Sequence, residues 1–152
     1  EGASPELISK NLAEIKARKV SLLNKNHLVL GADSVIDLEG KIISKPKNRD
    51  EALEILKKLN GKQHYLISSV SIIKDGNMIW NHTEKAQLTM KNFGISQMKD
   101  YLSKISDNAL YSYNVYQIEG EGKKLFSNIV GDRDTIMGLP IKQIKNFLEK
   151  FA

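Results

Sequence analysis

Apolar residues recur at helical spacing near both ends of the chain. Ser4-Pro5 is typical of a helix N-terminus, because serine can cap the first turn and proline fits its first position. The apolar residues that follow predict a helix of about five turns; they are Ile8, Leu12, Ile15 and Leu22. After Pro140, a second run places apolar side chains on one face, namely Ile141, Ile144, Phe147, Leu148 and Phe151. We expect this last helix to pack on the core.

The segment after the first helix predicts a strand and then a hairpin. His27 to Leu30 is short and apolar and ends in Gly31-Ala32-Asp33, which we interpret as a turn at the end of a strand. The apolar pairs Val35-Ile36 and Ile42-Ile43 flank Glu39-Gly40, a pattern typical of a β-hairpin.

The middle of the chain predicts a second helix and a long hairpin. Asn48 and Glu51 have the spacing of a capping box, and the apolar pattern stops before Gly61, so we expect a helix from 48 to 60. Residues 65–73 and 78–90 are rich in β-branched and aromatic residues, with Asp75-Gly76-Asn77 between them. The two runs should pair as antiparallel strands.

The last third of the chain predicts a short helix and an irregular region. Ser96 begins the helix, whose apolar residues are Met98, Tyr101, Leu102 and Ile105. Glycines punctuate the stretch from Tyr111 to Gly138, which we expect to form strands and functional loops.

Composition narrows the class of protein. With 41% hydrophobic and 27% charged residues over 152 positions, the chain can bury one ordinary core, so we expect one domain. The absence of cysteine excludes disulfides and thiolate metal sites, and it agrees with a cytoplasmic location. No apolar run approaches the roughly 20 residues that span a bilayer. The formal net charge of +5 fits an anionic partner, although few aromatic residues accompany the lysines as single-strand binding would require.

The first candidate for chemistry is Gly31-Ala32-Asp33-Ser34. A carboxylate beside small residues could hold a metal or deprotonate water where a substrate approaches the backbone. The alternative is that Asp33 only makes a turn.

Two lysines are candidates for phosphate binding. In Ser44-Lys45-Pro46, proline keeps the preceding residue extended, so the direction of the Lys45 ammonium could be set. A solvated surface lysine is the commoner case, and the same holds for Lys16 on the first helix.

A third candidate region is acidic. In Ile118-Glu119-Gly120-Glu121-Gly122, two glutamates alternate with two glycines, and Gly131-Asp132-Arg133-Asp134 follows before Gly138-Leu139-Pro140. These carboxylates could recognise a base or a metal, or they could belong to flexible turns. The three histidines are isolated and lack the spacing of zinc ligands, so we interpret them as structural or exposed.

Taken in order, several of these motifs resemble the Maf family of nucleoside triphosphate pyrophosphatases. They extend over essentially the whole chain and comprise Leu12-Ala13-Glu14-Ile15-Lys16-Ala17, Gly31-Ala32-Asp33-Ser34-Val35, Lys45-Pro46, Leu59-Asn60-Gly61, Tyr116-Gln117-Ile118-Glu119-Gly120, Gly131 and Gly138-Leu139-Pro140.

The resemblance implies an α/β fold with an elongated, mixed and twisted sheet, flanking helices and a central nucleotide cleft, often in a homodimer. It implies hydrolysis between the α and β phosphates with a divalent cation, Mg²⁺ or Mn²⁺. Asp33 matches the general base of the family, and Lys16 and Lys45 match its phosphate-contacting lysines. Ser34 and Glu119 fall where the family sets substrate specificity.

The sequence departs from the family at two places. Family members open with a segment resembling Ala-Ser-x-Ser-Pro-Arg-Arg, whereas here Glu6 and Leu7 follow Ser4-Pro5. Since the chain also begins at Glu1 without methionine, we expect a fragment of one Maf-like domain, residues 1–152, that lacks its first strand and helix. The second departure is Ser112-Tyr113-Asn114, where the family has Lys-Ala-Gly, and it alters the expected wall of the base pocket.

Glu119 bears on the choice of base. Many members that use ordinary pyrimidine nucleotides have glutamine there, while glutamate resembles the branch acting on 7-methyl-GTP. A carboxylate can accept from the N1 and N2 donors of guanine, and it favours the positive charge of the methylated ring.

Three functional hypotheses follow. The leading one is a pyrophosphatase that removes non-standard nucleotides such as 7-methyl-GTP, with dTTP or UTP as alternative substrates. The second is a nucleotide-binding or regulatory protein that has lost turnover. The third, a basic module that binds nucleic acid, would show a steep salt dependence and has no support in the order of motifs.

Overall fold

The structure is a computed structural model that describes residues 3–113, residue 116 and residues 120–151. The helices are α1 (Pro5–Ser21), α2 (Arg49–Leu59), α3 (Ile95–Ser103), α4 (Asp107–Tyr113), α5 (Arg133–Ile136) and α6 (Ile141–Phe151), with a 3-10 helix over Gly120–Leu125. The strands are β1 (Leu28–Leu38), β2 (Lys41–Ile43), β3 (Gln63–Lys74), β4 (Asn77–Met90) and β5 (Phe126–Val130). None of the described helices is long and apolar enough to cross a membrane.

The five strands form one sheet in the order β2-β1-β3-β4-β5. Strand β2 runs antiparallel to β1, with Ile36 opposite Ile43, and β5 runs antiparallel to β4, with Gln87 opposite Val130. Helices and strands are interspersed along the chain, so the expected α/β class is confirmed.

The chain forms two compact units. The first consists of Glu1–Val35, Leu66–Ala86 and Gly131–Ala152, and the second of Ile36–Tyr65 and Gln87–Val130. The chain passes from one unit to the other within β1, within β3, within β4 and between β5 and α5. Each unit therefore draws its core from segments that are far apart in sequence.

Local sequence chemistry explains where the first two helices begin. The side chain of Ser4 accepts from the Leu7 amide at 3.3 Å at the start of α1, and that of Asn48 accepts from the Glu51 amide at 2.8 Å at the start of α2. Both predicted N-termini are confirmed.

The two predicted hairpin turns are confirmed as well. Glu39 and Gly40 have φ of 53° and 85° between β1 and β2, and Asp75 and Gly76 have φ of 50° and 79° between β3 and β4. Two successive residues of positive φ match the right-handed twist of the paired strands, which is why glycine occurs at the second position.

The interpretation of Gly31-Ala32-Asp33 as a turn after a strand is wrong. These residues lie inside β1, which continues without interruption from Leu28 to Leu38. Glycine is required by packing: a Cβ at Gly31 would lie 2.3 Å from the Ala13 carbonyl oxygen and 2.7 Å from the Ala17 Cβ of α1. The absence of a side chain at Gly31 thus allows α1 to pack directly against β1.

The region from 111 to 138 is more helical than expected. It contains the end of α4, the 3-10 helix and α5 in addition to β5. Helix α3 begins at Ile95, one residue before the predicted start, and Ile105 lies beyond its end. The predicted alternation of strands and loops is therefore only partly confirmed there.

Helix α6 forms after Pro140 as predicted, but its apolar face is covered only in part. Ile144 is buried and Phe147 stacks on Trp80 of β4 with ring centroids 5.2 Å apart. The other apolar residues remain 40–47% exposed; they are Ile141, Leu148 and Phe151. The expectation that this helix packs on the core is therefore confirmed through Ile144 and Phe147, although the rest of its apolar face stays exposed.

His64 is the buried histidine of the second unit. It is 1% exposed, and its Nε2 lies 2.7 Å from the hydroxyl oxygen of Tyr116. Burial lowers the pKa of the imidazole from 6.5 to about 4 and raises the pKa of the Tyr116 hydroxyl well above its ordinary value. The ring is therefore neutral at pH 7, and the interpretation of this histidine as structural is confirmed.

We predict that His64 makes the protein sensitive to acid. Between pH 6.5 and pH 4 the unfolded chain protonates this ring and the folded chain does not, so stability falls as pH falls. Relative to His64→Gln, the wild type should lose about 3 kcal/mol of unfolding free energy from pH 7.5 to pH 4. Urea titrations at both pH values measure the difference, and identical pH profiles for the two proteins would contradict the assignment.

We also predict that Gly31→Ala disrupts the first unit. The added methyl group meets backbone atoms of α1, so the helix must shift, and the unfolding free energy should fall by about 1–3 kcal/mol. Gly94→Ala is the matched control, because a Cβ there meets nothing within 4 Å and the backbone is extended. Denaturant midpoints compare the two variants. Equal midpoints would show that the close contact at Gly31 does not determine the stability of the protein.

Candidate active site

Asp33 and Lys16 form an ion pair between β1 and α1. Lys16 Nζ donates to Asp33 Oδ1 at 2.6 Å and lies 3.5 Å from the Ala32 carbonyl oxygen. The aspartate side chain is 11% exposed, whereas that of the lysine is 53% exposed. A nearly buried carboxylate thus faces a cation that still reaches solvent.

Helical periodicity explains why Lys16 reaches this carboxylate. Ala13 and Ala17 are buried against β1 at Gly31, so the turn of α1 that carries Lys16 lies close to the strand. Residues three apart on a helix share a face, and Lys16 lies three positions after Ala13. The small residues therefore set the distance, and the long side chain spans it.

The second oxygen of Asp33 has no hydrogen-bond partner among the described residues. Asp33 Oδ2 is fully buried, whereas Oδ1 is held by Lys16. Leaving a buried acceptor unpaired costs about 1–3 kcal/mol, so such atoms in native proteins call for a specific explanation. The alternative that Asp33 merely makes a turn is wrong, since the residue lies within a strand and pairs with a helix.

Ser34 points away from Asp33. Successive side chains of a strand lie on opposite faces, and the contacts agree: Asp33 meets α1, while Ser34 Oγ lies 3.0 Å from Ser68 Oγ of β3. Ser68 in turn donates to the carbonyl oxygen of Thr135 in α5 at 2.9 Å. Gly138 also adjoins this face, since a Cβ there would lie 3.6 Å from Ser34 Oγ.

Glu84 of β4 anchors Thr135 from the other side. The Thr135 hydroxyl donates to Glu84 Oε2, and Gln143 Nε2 of α6 lies 2.7 Å from Glu84 Oε1. His82 Nε2 lies 2.8 Å from that same oxygen. A partly buried carboxylate therefore ties β4 to α5 and α6.

Sequence reasoning missed Ser68, Thr135 and Glu84. The available signal was the serine-rich part of β3, because Ser68, Ser69 and Ser71 occur within an apolar strand and are all fully buried. Small hydroxyl side chains in a buried strand need partners, so such a run indicates hydrogen-bonded chains on both faces.

The other predicted site residues are Lys45 in the second unit, Glu119, and the acidic candidate Asp132 in the first unit. Lys45 is exposed in the segment after β2, next to the buried Pro46. Glu119 lies outside the described residues. Asp132, proposed among the acidic candidates, caps α5 by accepting from the Asp134 amide at 2.8 Å.

A divalent cation fits this site if substrate phosphates supply most of its ligands. The described residues contain no group of three or more histidine, aspartate or glutamate side chains that could enclose a metal. Magnesium is commonly held by one or two carboxylates together with substrate phosphates, and the free Oδ2 of Asp33 offers one such ligand. The residues present therefore fit a cation that arrives with a phosphorylated substrate.

These features define an α/β protein with a lysine–carboxylate pair at the contact of a helix and a strand. The family described as Maf-like protein matches residues 1–151. The chain belongs to this family.

Several relatives carry names that describe an activity. A protein of Pelagibacter ubique (strain HTCC1062), named nucleoside triphosphate pyrophosphatase, is 65% identical over 149 residues, which are 98% of this chain and 76% of that protein. One of Ruegeria sp. (strain TM1040), with the same name, is 37% identical over 97% of this chain and 74% of its own length. One of Brucella abortus biovar 1 (strain 9-941), named 7-methyl-GTP pyrophosphatase, is 39% identical over 92% of this chain and 70% of its own length.

We predict that Asp33 lowers the stability of the folded protein. Valine resembles aspartate in shape and suits a strand, so Asp33→Val removes the unpaired buried oxygen and should raise the unfolding free energy by about 1 kcal/mol. The lost ion pair with the exposed Lys16 offsets little of this gain.

The matched control lies on the same strand. Asp37 is 8% exposed and its Oδ1 accepts from the Gly40 amide at 2.8 Å, so Asp37→Val should destabilise the protein by leaving that amide unpaired. Chemical denaturation of both variants measures the sign. Destabilisation by both substitutions would mean that Asp33 serves the fold.

Proposed function

We propose that this protein hydrolyses nucleoside triphosphates between the α and β phosphates, releasing a nucleoside monophosphate and pyrophosphate. The observation that carries the proposal is the Asp33–Lys16 pair, with one carboxylate oxygen held and the other buried and unpaired. Membership of the Maf family and the names of the relatives at 65% and 37% identity support the same reaction.

Asp33 is the general base in this proposal. Its Oδ2 accepts a proton from a water molecule, whose oxygen forms a bond to the α-phosphorus. The bond between that phosphorus and the bridging oxygen breaks, and pyrophosphate leaves with the electron pair. Lys16 fixes the carboxylate through Oδ1, so the free oxygen has one direction in which to accept the proton.

The lysines neutralise the triphosphate. Lys16 is more than half exposed, so its ammonium can contact a phosphate oxygen while it remains beside Asp33. Lys45 is the second phosphate-binding lysine by resemblance, and its exposed position leaves the ammonium available to an anion. When bound, Mg²⁺ or Mn²⁺ would share the Asp33 carboxylate with the phosphates and neutralise their charge.

The base that we favour is a modified purine, as in 7-methyl-GTP. Glu119 supports it because a carboxylate complements a cationic ring with two donors, and a relative at 39% identity is named for this substrate. The alternative substrates are dTTP and UTP. Removal of non-standard nucleotides would be the biological role.

Location and assembly are parts of the same proposal. A chain without cysteine suits the reducing cytoplasm, where free nucleotides occur. The exposed apolar residues of α6 would suit a homodimer contact; they are Ile141, Leu148 and Phe151. No membrane and no specific nucleic acid enter the proposed reaction.

The decisive experiment measures pyrophosphate release with Mg²⁺ or Mn²⁺ from dTTP, UTP, CTP, GTP and 7-methyl-GTP. Asp33→Ala should lower kcat by about 10²–10⁴-fold, because it removes the carboxylate that takes the proton from water in the proposed reaction. Asp100→Ala is the matched control: this aspartate also pairs with a lysine, Lys104 at 3.3 Å, but lies exposed on α3.

Each outcome selects one hypothesis. Release that is lost in Asp33→Ala and kept in Asp100→Ala supports the pyrophosphatase, and the best substrate decides the role of Glu119. Equal release by wild type and Asp33→Ala would remove Asp33 from catalysis. Nucleotide binding without release would favour the binding or regulatory protein.

A further inference from the structure

The second unit contains a cavity that is separate from the candidate active site. Its volume is about 460 Å³, and all the residues that line it belong to the second unit, whereas Asp33 and Lys16 belong to the first. Few voids in protein interiors are larger than a water molecule, while cavities of about 300–1,000 Å³ are typical of small-molecule sites. The size of this cavity therefore indicates a binding site and not a packing defect.

The inner wall of the cavity is apolar. Leu56 of α2, Met90 at the end of β4 and Leu125 of the 3-10 helix line it, and all three are buried. Met98 and Tyr101 of α3 complete this wall and are buried as well. Methionine side chains are flexible and polarisable, so two of them in one wall adapt to ligands of different shape. The wall fits an apolar or aromatic group.

The rim of the cavity is polar and carries more positive than negative charge. Among the described residues that line it are two lysines, Lys104 of α3 and Lys124 of the 3-10 helix, and one carboxylate, that of Asp100. Lys104 Nζ lies 3.3 Å from Asp100 Oδ2, and the two side chains are 50% and 68% exposed, so this ion pair is weak. Two cations against one anion favour a ligand with a negative group at the rim.

The first turn of α3 reinforces this preference for an anion. Ser96 and Gln97 also line the cavity, and Gly94 at the N-cap has no side chain that could accept from their backbone amides. The Gln97 side chain accepts from the Gly94 amide at 3.0 Å and so turns its oxygen toward the start of the helix. The partial positive charge of a helix start therefore adds to the charge of the lysines.

We propose that this cavity is a second binding site, which takes a small organic anion with an apolar or aromatic body. The body lies against Met90 and Met98, and the anionic group lies at the rim beside Lys104 and Lys124. A triphosphate carries several negative charges, which two lysines opposed by one aspartate do not match. The inference therefore concerns a different ligand from the proposed substrate, and it does not depend on the proposed hydrolysis.

Methionine methyl NMR tests the location, because the chain has four methionines and two of them line the cavity. Titration with anilinonaphthalene sulfonate, an aromatic anion, should shift the signals of Met90 and Met98 along one saturable curve. Met78 of β4 and Met137 after α5 are internal controls, since both belong to the first unit, and their signals should not move. Unchanged signals of Met90 and Met98 at millimolar probe, or equal shifts of all four methionines, would overturn the proposal.

Octanoate and octanol test the need for an anionic group, because they share one apolar chain. In the same NMR titration, octanoate should bind more tightly than octanol, and Lys104→Glu should weaken octanoate about fivefold while octanol is unaffected. Lys57→Glu is the matched control: this lysine also pairs with a carboxylate of its own helix, Glu54 at 3.0 Å, but does not line the cavity. Equal affinity for the two probes, or an equal loss of octanoate affinity in both variants, would contradict an anionic ligand.

Discussion

The close contact of α1 with β1 at Gly31 is the constraint on which the first unit and its candidate site depend. Because glycine has only a hydrogen atom as its side chain, the Ala13 backbone and the Ala17 methyl group can approach the strand, and both alanines are buried there. Any larger side chain would push the helix outward. With the helix this close, Lys16 can pair with a carboxylate that the strand holds almost out of solvent.

That pair illustrates a conflict between folding and chemistry. A strand interior is a poor place for a carboxylate, because burial removes water from an ionised group and Oδ2 receives no hydrogen bond in return. Of this carboxylate, Lys16 donates a hydrogen bond to Oδ1 only. In the proposed hydrolysis this unsatisfied oxygen is the atom that takes the proton from water, so stability and the proposed catalysis would make opposite demands on it.

In the first unit, hydroxyl groups on both faces of β3 form hydrogen bonds to neighbouring elements. Ser68 connects β1 to α5, and the adjacent Ser69 approaches α1 through Ser9. Since successive residues of β3 point to opposite faces, two neighbouring serines suffice to hold helices on either side. These bonds lie in a strand that otherwise carries apolar residues, so they direct packing that hydrophobic contacts alone would leave unspecific.

The features that could be predicted from sequence are those governed by neighbours along the chain. Ser4 and Asn48 cap helices because their partners lie three residues away, and Asp75-Gly76 turns because two adjacent residues adopt positive φ. The α/β class follows from the family resemblance of several motifs taken in order. Asp33 and Lys16 were singled out in the same way, though only as separate residues.

The features that the sequence did not predict depend on contacts between segments that are far apart along the chain. The residues next to Gly31 in sequence suggest a turn. The glycine is instead required by contact with α1, where Ala13 lies 18 residues earlier, and β1 continues through Gly31. The Ser68 bond to Thr135 joins residues 67 positions apart and leaves no local pattern. Apolar periodicity likewise predicted α6 but not how little of its face is covered, because spacing specifies a helix face while burial depends on what lies opposite.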